Sequence, residues 1–289
     1  MRIRPKSAYW LSAAIVILLT VNGCTIFYKK EDAKTFHCQV HGASYQDLRK
    51  LDVDIMVIDC DDALLTRKQI AELKDNGTKV LSYLSIGEAE RYRKYWKPRW
   101  KEGYPSFIDK ENPQCKGNYR VEYWNELWQE ITLERVQEIA RDGYDGVYLD
   151  AVDVYYHYEY RGRRTAREEM FDFIRKIRHR GRTYNPLFLV VAQNTAELYA
   201  FKEYRGLIDG LGIEDLWYDG NKERNVEDIQ YILKFLDMAK KQDKIVLVVD
   251  YPTDKNKICD FYKKCEAHRF AGTVSNRELN LKEPVRCGE

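Results

Sequence analysis

Acids and amides recur in this sequence where short apolar runs end. The residues at these places are Asp59, Glu88, Asn125, Asp150, Asn194, Glu214, Asp250 and Asn276. Carboxyl groups can exchange protons or attack carbon, and amides can hydrogen-bond hydroxyl groups. If the fold brings these side chains to one face, they would suit acid–base chemistry on a hydroxyl-rich substrate.

Two of these acids stand in the most informative surroundings. Asp150 ends an apolar run and enters a polar loop, whereas Glu214 follows Ile213 and precedes Trp217 and Tyr218. Apolar neighbours raise the pKa of a carboxyl group and keep it protonated near neutral pH. We therefore assign Asp150 as the ionised partner and Glu214 as the proton donor. One ionised and one protonated carboxyl group facing a common cavity is what glycosidic hydrolysis needs.

The same residue types also serve the backbone at helix N-termini, where Asp and Asn are favoured caps. For Asp59, Asp250 and Asn276 the sequence favours neither helix capping nor a role in the site over the other. For Asp150 and Glu214 the role in the site is favoured, because a strand buried on both faces has no other use for a carboxylate at its exit.

Eight short apolar runs predict strands, and several are continuously apolar, as in a parallel sheet covered on both faces. The predicted strands are Ile55–Asp59, Val80–Ile86, Tyr119–Tyr123, Gly146–Leu149, Leu187–Ala192, Gly210–Ile213, Ile245–Val249 and Gly272–Ser275. Stretches of helical period lie between them, at 65–74, 125–141, 165–179 and 226–240.

This alternation predicts an α/β fold, a (β/α)8 TIM barrel that forms a single domain over residues 51–289. The carboxyl ends of barrel strands converge on one face, where active sites are built, so the acids and amides should meet there. An open doubly wound sheet is the alternative, but no Gly-rich phosphate loop follows the first predicted strand.

Composition excludes several classes of protein. The 289 residues carry 48 Lys and Arg against 46 Asp and Glu, a balance that argues against a dedicated nucleic-acid binder. The content of 44% apolar residues excludes a disordered chain. The histidines lack metal-ligand spacing, so we expect no resident metal. We also expect no cofactor and a monomeric protein.

The N-terminus has the pattern of an export signal. Arg2, Arg4 and Lys6 precede an apolar run over residues 8–21, which ends at Gly23 and Cys24 and is similar to a bacterial lipobox. We predict a lipoprotein signal peptide over 1–23, lipidation of Cys24, and a tether over 24–50 that leads into the domain. The protein would then be exported and lipid-anchored in the cell envelope, and an ordinary cleaved signal is the alternative.

Six further cysteines remain, an even number that predicts disulfides in an exported protein. They are Cys38, Cys60, Cys115, Cys259, Cys265 and Cys287. The sequence predicts fewer than two free thiols among them and does not choose a pairing.

Four strings occur in the order that is typical of one enzyme family. They are Tyr83 to Glu90 (YLSIGEAE), Tyr123-Trp124-Asn125 with Trp128, Gly146 to Asp150 (GVYLD), and Gly212 to Glu214 (GIE). Together they resemble glycoside hydrolase family 114, an (α/β)-barrel group associated with endo-α-1,4-polygalactosaminidase activity. The resemblance spans roughly residues 50 to 276.

The resemblance implies that Asp150 and Glu214 are the catalytic pair, that Asp59 and Glu88 are site acids, and that the reaction retains anomeric configuration. The wider set of predicted substrate-binding residues adds possible sugar platforms and polar groups at strand ends. These residues are Trp124, Asn125, Asp153, Asn194, Trp217, Tyr218 and Asp250.

Three functions are compared. The first is an exported, endo-acting glycoside hydrolase that cleaves an α-linked, galactosamine-type polysaccharide. The second is a non-catalytic lipoprotein that binds polysaccharide at the barrel mouth. The third is a metal-dependent hydrolase that uses Asp59, Asp61 and Asp62, since carboxylates suit hard cations, although three acids so close together more often cap a loop.

A basic cluster over residues 161–167 has two interpretations. Its arginines are favoured as a solvated helix face. The alternative is a contact to an anionic sugar or to a lipid head group, and a cationic galactosamine polymer would not bind beside these arginines.

Overall fold

The computed structural model describes residues 33–288, together with the backbone of residues 20–21 and 24–25. The chain divides into two compact units, Met1–Asp32 and Ala33–Glu289. In the first unit the backbone of Thr20–Val21 pairs antiparallel with Cys24–Thr25. The rest of the predicted signal peptide and the side chain of Cys24 lie outside the described residues.

Eight parallel strands form the central sheet of the second unit. They are β1 (Phe36–Gln39), β2 (Ile55–Ile58), β3 (Lys79–Ser85), β4 (Gly146–Asp150), β5 (Leu189–Gln193), β6 (Gly210–Glu214), β7 (Ile245–Asp250) and β8 (Ala271–Val274). Each strand pairs with the strand before it and the strand after it in this order. A bridge between Thr35 and Gly272 links the first strand to the last. The predicted (β/α)8 barrel is therefore confirmed as a nearly closed barrel.

One predicted strand was wrong, and one barrel strand was not predicted. The predicted third strand, Tyr119–Tyr123, is not in the barrel: Asn118–Val121 pairs antiparallel with Glu88–Glu90 and Ile108–Glu111 in a separate small sheet. The eighth barrel strand is β1, inside the segment that the sequence assigns to the tether. His37 and Gln39 interrupt its apolar pattern, yet both are buried, which hides the strand from a search for apolar runs.

Helices follow the strands as predicted, within a few residues. The α-helices are Tyr45–Leu48, Cys60–Ala63, Arg67–Lys74, Glu126–Asp142, Val154–Tyr160, Ala166–Tyr184, Lys202–Leu207, Val226–Lys241 and Lys255–His268, and Ala196–Ala200 forms a 3-10 turn. Helix Glu126–Asp142 shows why the bounds fall where they do. The side chain of Asn125 accepts the backbone N–H of Leu127 at its start, and Gly143 ends it with φ of 99°.

Two apolar layers hold the barrel together. Alternate strand residues, such as Val57, Tyr148 and Val249, fill its interior, while the others pack outward against the helices. The interior has no spare room beside Gly212, because a Cβ atom there would lie 2.1 Å from the Tyr148 hydroxyl. Among the described residues, none of the helices is both long and apolar enough to cross a bilayer.

The cysteine prediction needs correction. Cys259 and Cys287 form a disulfide that ties the C-terminal segment to helix Lys255–His268. The remaining described cysteines, Cys38, Cys60, Cys115 and Cys265, are free thiols. The even number of cysteines was misleading because Cys38 and Cys265 are buried as small apolar side chains, on β1 and on a helix.

Candidate active site

The alternation of side chains along the strands decides which residues enter the barrel mouth. Tyr148 points into the barrel, so Asp150, two residues later on β4, points the same way at the carboxyl end of the strand. Gly212 on β6 faces the Tyr148 side chain in the barrel interior, so Glu214, two residues later, points the same way. One strand, β5, separates the two, and both carboxyl groups therefore stand at the same end of the barrel.

A tyrosine hydroxyl supports the Asp150 carboxyl group. The Tyr83 hydroxyl, from β3, donates to Oδ2 of Asp150 at 2.5 Å. Desolvation and then the charge of Asp150 raise the pKa of Tyr83 well above its ordinary value, so the phenol keeps its proton and acts as a donor. A hydrogen bond of this kind favours the carboxylate as its acceptor.

Glu214 has a matching partner from the other side. The Tyr251 hydroxyl, just after β7, donates to Oε1 of Glu214 at 2.7 Å. Burial raises the pKa of Glu214, the hydrogen bond from Tyr251 offsets part of that rise, and the charge of Asp150 adds to it. Glu214 is thus the carboxyl group of the pair whose surroundings favour the protonated form.

Trp217 and Tyr218 do not shield Glu214, contrary to the prediction from the sequence. Trp217 packs against Phe261 and Phe270 in the layer between sheet and helices, and the Tyr218 hydroxyl lies against Asp260. Both aromatic side chains are buried away from the mouth, so the predicted sugar-platform role of Trp217 and the site role of Tyr218 do not fit the structure.

Asp250 also turns away from the mouth. Val249 and Tyr251 point into the barrel, so the residue between them points outward. Its carboxyl group accepts the backbone N–H groups of Leu216, Trp217 and Tyr218 at 2.7–3.0 Å. Burial raises the pKa of Asp250 to about 7, and these three donors offset part of that rise. Asp250 holds the loop after β6 in place.

Asp59 is part of a buried charge network behind the mouth. It caps helix Cys60–Ala63 and pairs with Arg93 at 2.7 Å, while Arg93 Nε donates to Glu90 at 2.6 Å. Asp59 therefore has the helix-capping role, which was the alternative to a role in the site. Asp59 is only 2% exposed, which leaves it no surface for a substrate.

The same network bears on the metal hypothesis. Asp59, Cys60 and Asp61 offer ligand atoms within 4.8 Å of one another. Arg93 and Arg135 already lie against these carboxylates, with Arg135 Nη2 2.6 Å from Asp61. Two guanidinium groups occupy the positions from which a cation would be attracted, so this cluster does not favour a metal.

Glu88 is buried beside the mouth and holds a loop. Asn112 and Asn118 donate to its two oxygens at 2.8 and 3.2 Å. Burial raises the pKa of Glu88, the two amides offset part of that rise, and the charge of Asp150 adds to it. Glu88 therefore fixes the loop of residues 112–118 through its two amide partners.

Trp124 and Asn125 lie at the start of helix Glu126–Asp142. Asn125 caps this helix, and the Arg163 guanidinium lies 3.5 Å from the centre of the Trp124 ring. The indole also packs edge-on against Tyr158. One face of Trp124 is thus covered by a residue of the basic cluster, and Arg163 is itself paired with Glu169 rather than turned to a ligand.

Asp153 and Asn194 do fit the predicted site. Asp153 is exposed at the start of helix Val154–Tyr160, where desolvation and then the charge of Asp150 raise its pKa to about 6. The side chain of Asn194 accepts the backbone N–H of Glu214 at 3.0 Å, with its own backbone in the left-handed region at φ of 54°. Asn194 therefore positions Glu214 directly.

A cavity of about 700 Å³ opens beside Glu214. It is lined by Asn194, Ala196, Glu197, Ile213, Glu214, Asp215, Asp219, Arg224, Ile232 and Arg277. Its volume is in the range of small-molecule sites. Four residues near the two carboxyl groups were not predicted from the sequence: Tyr83, Tyr251, Glu197 and Arg277. The alternation of side chains along β3 and β7 was the signal that could have identified the two tyrosines.

Known proteins resemble this chain in sequence. The sequence model of glycoside-hydrolase family GH114 matches residues 21–287. The uncharacterized protein MJ1477 of Methanocaldococcus jannaschii is 33% identical over 240 residues, which are 79% of this chain and 69% of that protein. An uncharacterized protein of Deinococcus radiodurans is 33% identical over 205 residues, which are 71% of this chain and 66% of that protein.

Solved structures share the fold at low sequence identity. The glycoside hydrolase domain of PelA from Pseudomonas aeruginosa is similar with a TM-score of 0.68 and 17% identity, over 86% of this chain and 96% of that domain. Ega3 of Aspergillus fumigatus, solved in complex with galactosamine, is similar with a TM-score of 0.67 and 19% identity, over 90% of this chain and 98% of that one.

Proposed function

The chain belongs to glycoside-hydrolase family GH114, and on that premise we propose that it cleaves glycosidic bonds with Asp150 and Glu214. The observation that carries the proposal is the placement of two carboxyl groups at one barrel end, each held by a tyrosine hydroxyl. A pair of carboxyl groups on either side of the bond is what most glycoside hydrolases use.

We assign Glu214 as the proton donor and Asp150 as the nucleophile. The raised pKa of Glu214 supports its role as the acid, and the Tyr83 hydroxyl supports Asp150 as a carboxylate. Asp150 would attack the anomeric carbon while Glu214 protonates the leaving oxygen, which breaks the glycosidic bond. Glu214 would then take a proton from water, whose oxygen attacks the same carbon and frees Asp150.

This sequence of steps retains the anomeric configuration. It requires carboxyl groups about 5–5.5 Å apart in the working enzyme, whereas an inverting mechanism leaves about 6.5–9.5 Å for a water molecule. Nuclear magnetic resonance of the first product formed decides between the two, because retention gives the starting anomer before mutarotation.

For the substrate we propose an α-linked polysaccharide of galactosamine type, cleaved internally. The charge of the mouth supports a cationic sugar polymer. In the part of the chain that the structure describes, Asp150 and Glu197 accept hydrogen bonds from tyrosine hydroxyls and form no ion pair with Lys or Arg. Unpaired carboxylates in a cleft attract a positively charged polymer. The binding of galactosamine by Ega3, which shares the fold, agrees with this choice.

We also propose that the protein is exported and anchored by lipid on Cys24. The support is the leader itself, with its charged start, its apolar run and its lipobox-like end. An anchor with two or more acyl chains would hold the enzyme stably at a membrane surface.

Release of reducing ends from a partially deacetylated α-1,4-linked galactosamine polymer tests the activity. We expect Asp150→Asn and Glu214→Gln each to lower the rate by roughly 10²–10⁴-fold. Asp52→Asn and Glu134→Gln, amide variants at exposed positions, are the matched controls and should keep full activity.

Two outcomes would contradict the proposal. Near-full activity in both Asp150→Asn and Glu214→Gln would remove the catalytic pair. Tight binding of the polymer with no release of reducing ends by the wild type, across amino-sugar polymers, would instead favour the non-catalytic polysaccharide-binding function.

A further inference from the structure

We propose that the basic insertion, residues 91–120, is a second binding surface, which holds an acidic polysaccharide. This segment lies between β3 and helix Glu126–Asp142. It carries nine Lys and Arg against three Asp and Glu, which gives it a net charge of +6 in a chain whose formal net charge is +2. The rest of the chain is therefore net negative, and the positive charge is concentrated in one segment.

The basic insertion is a compact unit. Its backbone closes on itself through hydrogen bonds from Arg91 to Gly117 and from Gly103 to Ile108, both of 2.8 Å. Phe107 anchors it in the main apolar core, where this side chain is only 1% exposed. The charges thus stand on a folded scaffold, so a ligand does not have to fix a loose loop when it binds.

Six cations of the basic insertion are exposed and form no ion pair among the described residues. They are Arg91, Lys97, Arg99, Lys101, Lys110 and Lys116. Arg93 and Lys94 differ, because they pair with acids of the network behind the mouth. Charges of one sign on a small folded unit repel one another, and an anionic ligand would relieve that repulsion.

Another basic part of the chain is arranged differently. Helix Ala166–Tyr184 carries five arginines, and each of them lies within ion-pair distance of an acid. Arg161, in the basic cluster before this helix, pairs with Asp109 of the basic insertion at 2.7 Å and neutralises one of its three acids. Paired arginines need no ligand, whereas the unpaired cations of the basic insertion leave a net positive surface.

The aromatic side chains favour a sugar polymer over a nucleic acid. Trp96 and Trp100 pack on each other with ring centres 5.7 Å apart, and Trp96 also lies 5.0 Å from Tyr119, so these rings are not presented for base stacking. Tyr104 is 56% exposed and shares a turn with Lys101. Its ring offers an apolar face for a sugar beside a positive charge for a carboxylate.

The position of the basic insertion separates it from the substrate and from the N-terminus. Its cations repel the cationic polymer that we propose as the substrate, so this surface is distinct from the cleft. The segment follows the carboxyl end of β3, whereas β1 begins at the opposite end of the barrel. A chain anchored through its N-terminus does not have to turn this surface to a membrane, which disfavours a membrane as the occupant.

Binding of polygalacturonate tests the inference, because this polymer carries a carboxylate on every sugar and its fully methyl-esterified form has the same backbone without charge. By calorimetry at low salt, the wild type should bind the acid form and not the ester. The triple variant Lys97→Gln, Arg99→Gln and Lys101→Gln should bind the acid form roughly 5-fold to 50-fold more weakly. Salt at about 0.5 M should weaken wild-type binding as well, since it screens exposed charges.

A second triple variant is the matched control. Lys202→Gln, Lys255→Gln and Lys263→Gln remove the same net charge at exposed positions outside the basic insertion and should leave binding unchanged. Melting temperatures verify that both triple variants fold. Both should also keep the hydrolytic activity of the wild type.

Equal weakening in the two triple variants, or equal binding of the acid and the ester, would overturn the inference. Tighter binding of duplex DNA, or of vesicles that contain anionic lipid, than of polygalacturonate would overturn it in favour of those partners. Absence of hydrolysis by the wild type would contradict the proposed function alone, because this binding is measured without turnover.

Discussion

The Tyr251 hydroxyl donates a hydrogen bond of 2.7 Å to the Glu214 carboxyl group, and the Arg277 guanidinium stands 4.5 Å from the centre of the same tyrosine ring. This phenol couples the proposed acid to the charge cluster on the cavity wall. Because the hydrogen bond favours the ionised form of Glu214, it holds the pKa of that group below the value that burial alone would impose.

Replacing this phenol should move the pH profile. Tyr251→Phe removes the hydrogen bond, so the pKa of Glu214 should rise and its proton should be retained to higher pH. The alkaline limb of kcat/KM is then expected to shift upward in pH. Tyr184→Phe, which alters a surface hydroxyl bonded to Gln137, is the control. A limb that stays in place or moves to lower pH would contradict Glu214 as the acid.

Tyr83→Phe tests the opposite partner. The variant loses the 2.5 Å hydrogen bond to Asp150, so the carboxylate is less well oriented and less well stabilised. We expect kcat to fall roughly 10-fold to 100-fold, in line with the loss of one hydrogen bond to a charged group. Single-turnover kinetics that separate formation of the covalent intermediate from its hydrolysis would locate the effect. An unchanged first step would argue against Asp150 as the nucleophile.

The raised pKa of Asp153 predicts a pH-dependent stability. Its pKa is about 6 in the folded protein, against 3.8 as the ordinary value. The folded state therefore binds this proton more tightly, so its contribution to stability is complete below pH 4 and is lost as the pH rises towards 6. Asp153→Asn should be more stable than wild type at pH 8, by about 1 kcal/mol once solvent screening is allowed for.

Thermal melts at pH 4 and pH 8 check this prediction. The gain at pH 8 corresponds to about 2–4 °C in Tm for a chain of this size, and it should vanish near pH 4. Asp52→Asn, at an exposed position, should show no such dependence. A gain of equal size at both pH values would rule out the titration of Asp153 as its cause.

The disulfide between Cys259 and Cys287 should stabilise the C-terminal segment. Its sequence separation of 28 residues predicts that Cys259→Ser lowers the free energy of unfolding by about 3–4 kcal/mol. Chemical denaturation with and without reductant measures this, with Cys265→Ala as a variant that leaves the bridge intact. No difference between the reduced and oxidised wild type would show that the bridge contributes nothing.

Cys24→Ser tests the anchor. We expect the variant to leave the detergent phase and enter the aqueous phase while keeping its catalytic activity. Thiol titration of the unfolded, unreduced chain gives an independent reading: four thiols if Cys24 is lipidated, five if it is free. A variant that stays membrane-bound with a normally processed leader would refute lipidation.

Local pattern was enough to predict the barrel. Strands such as β5 and β7 are continuously apolar because helices cover one face and the barrel interior the other, and that signal needs no tertiary information. Parallel strands all end on the same side. The sequence therefore also predicted that Asp150 and Glu214 meet at one mouth, which is where the structure has them.

Contacts between distant segments decided the rest. The first barrel strand was hidden because His37 and Gln39 are buried polar residues, and Asn118–Val121 left the barrel because it pairs with the strand at Glu88–Glu90. Asp250 and Glu214 both end apolar strands, yet a shift of one residue in the alternation turns Asp250 to the backbone of a loop and Glu214 to the cavity. Hydrogen-bond partners and counter-ions come from other strands, so only the closed barrel determines which carboxyl groups are left free for a substrate.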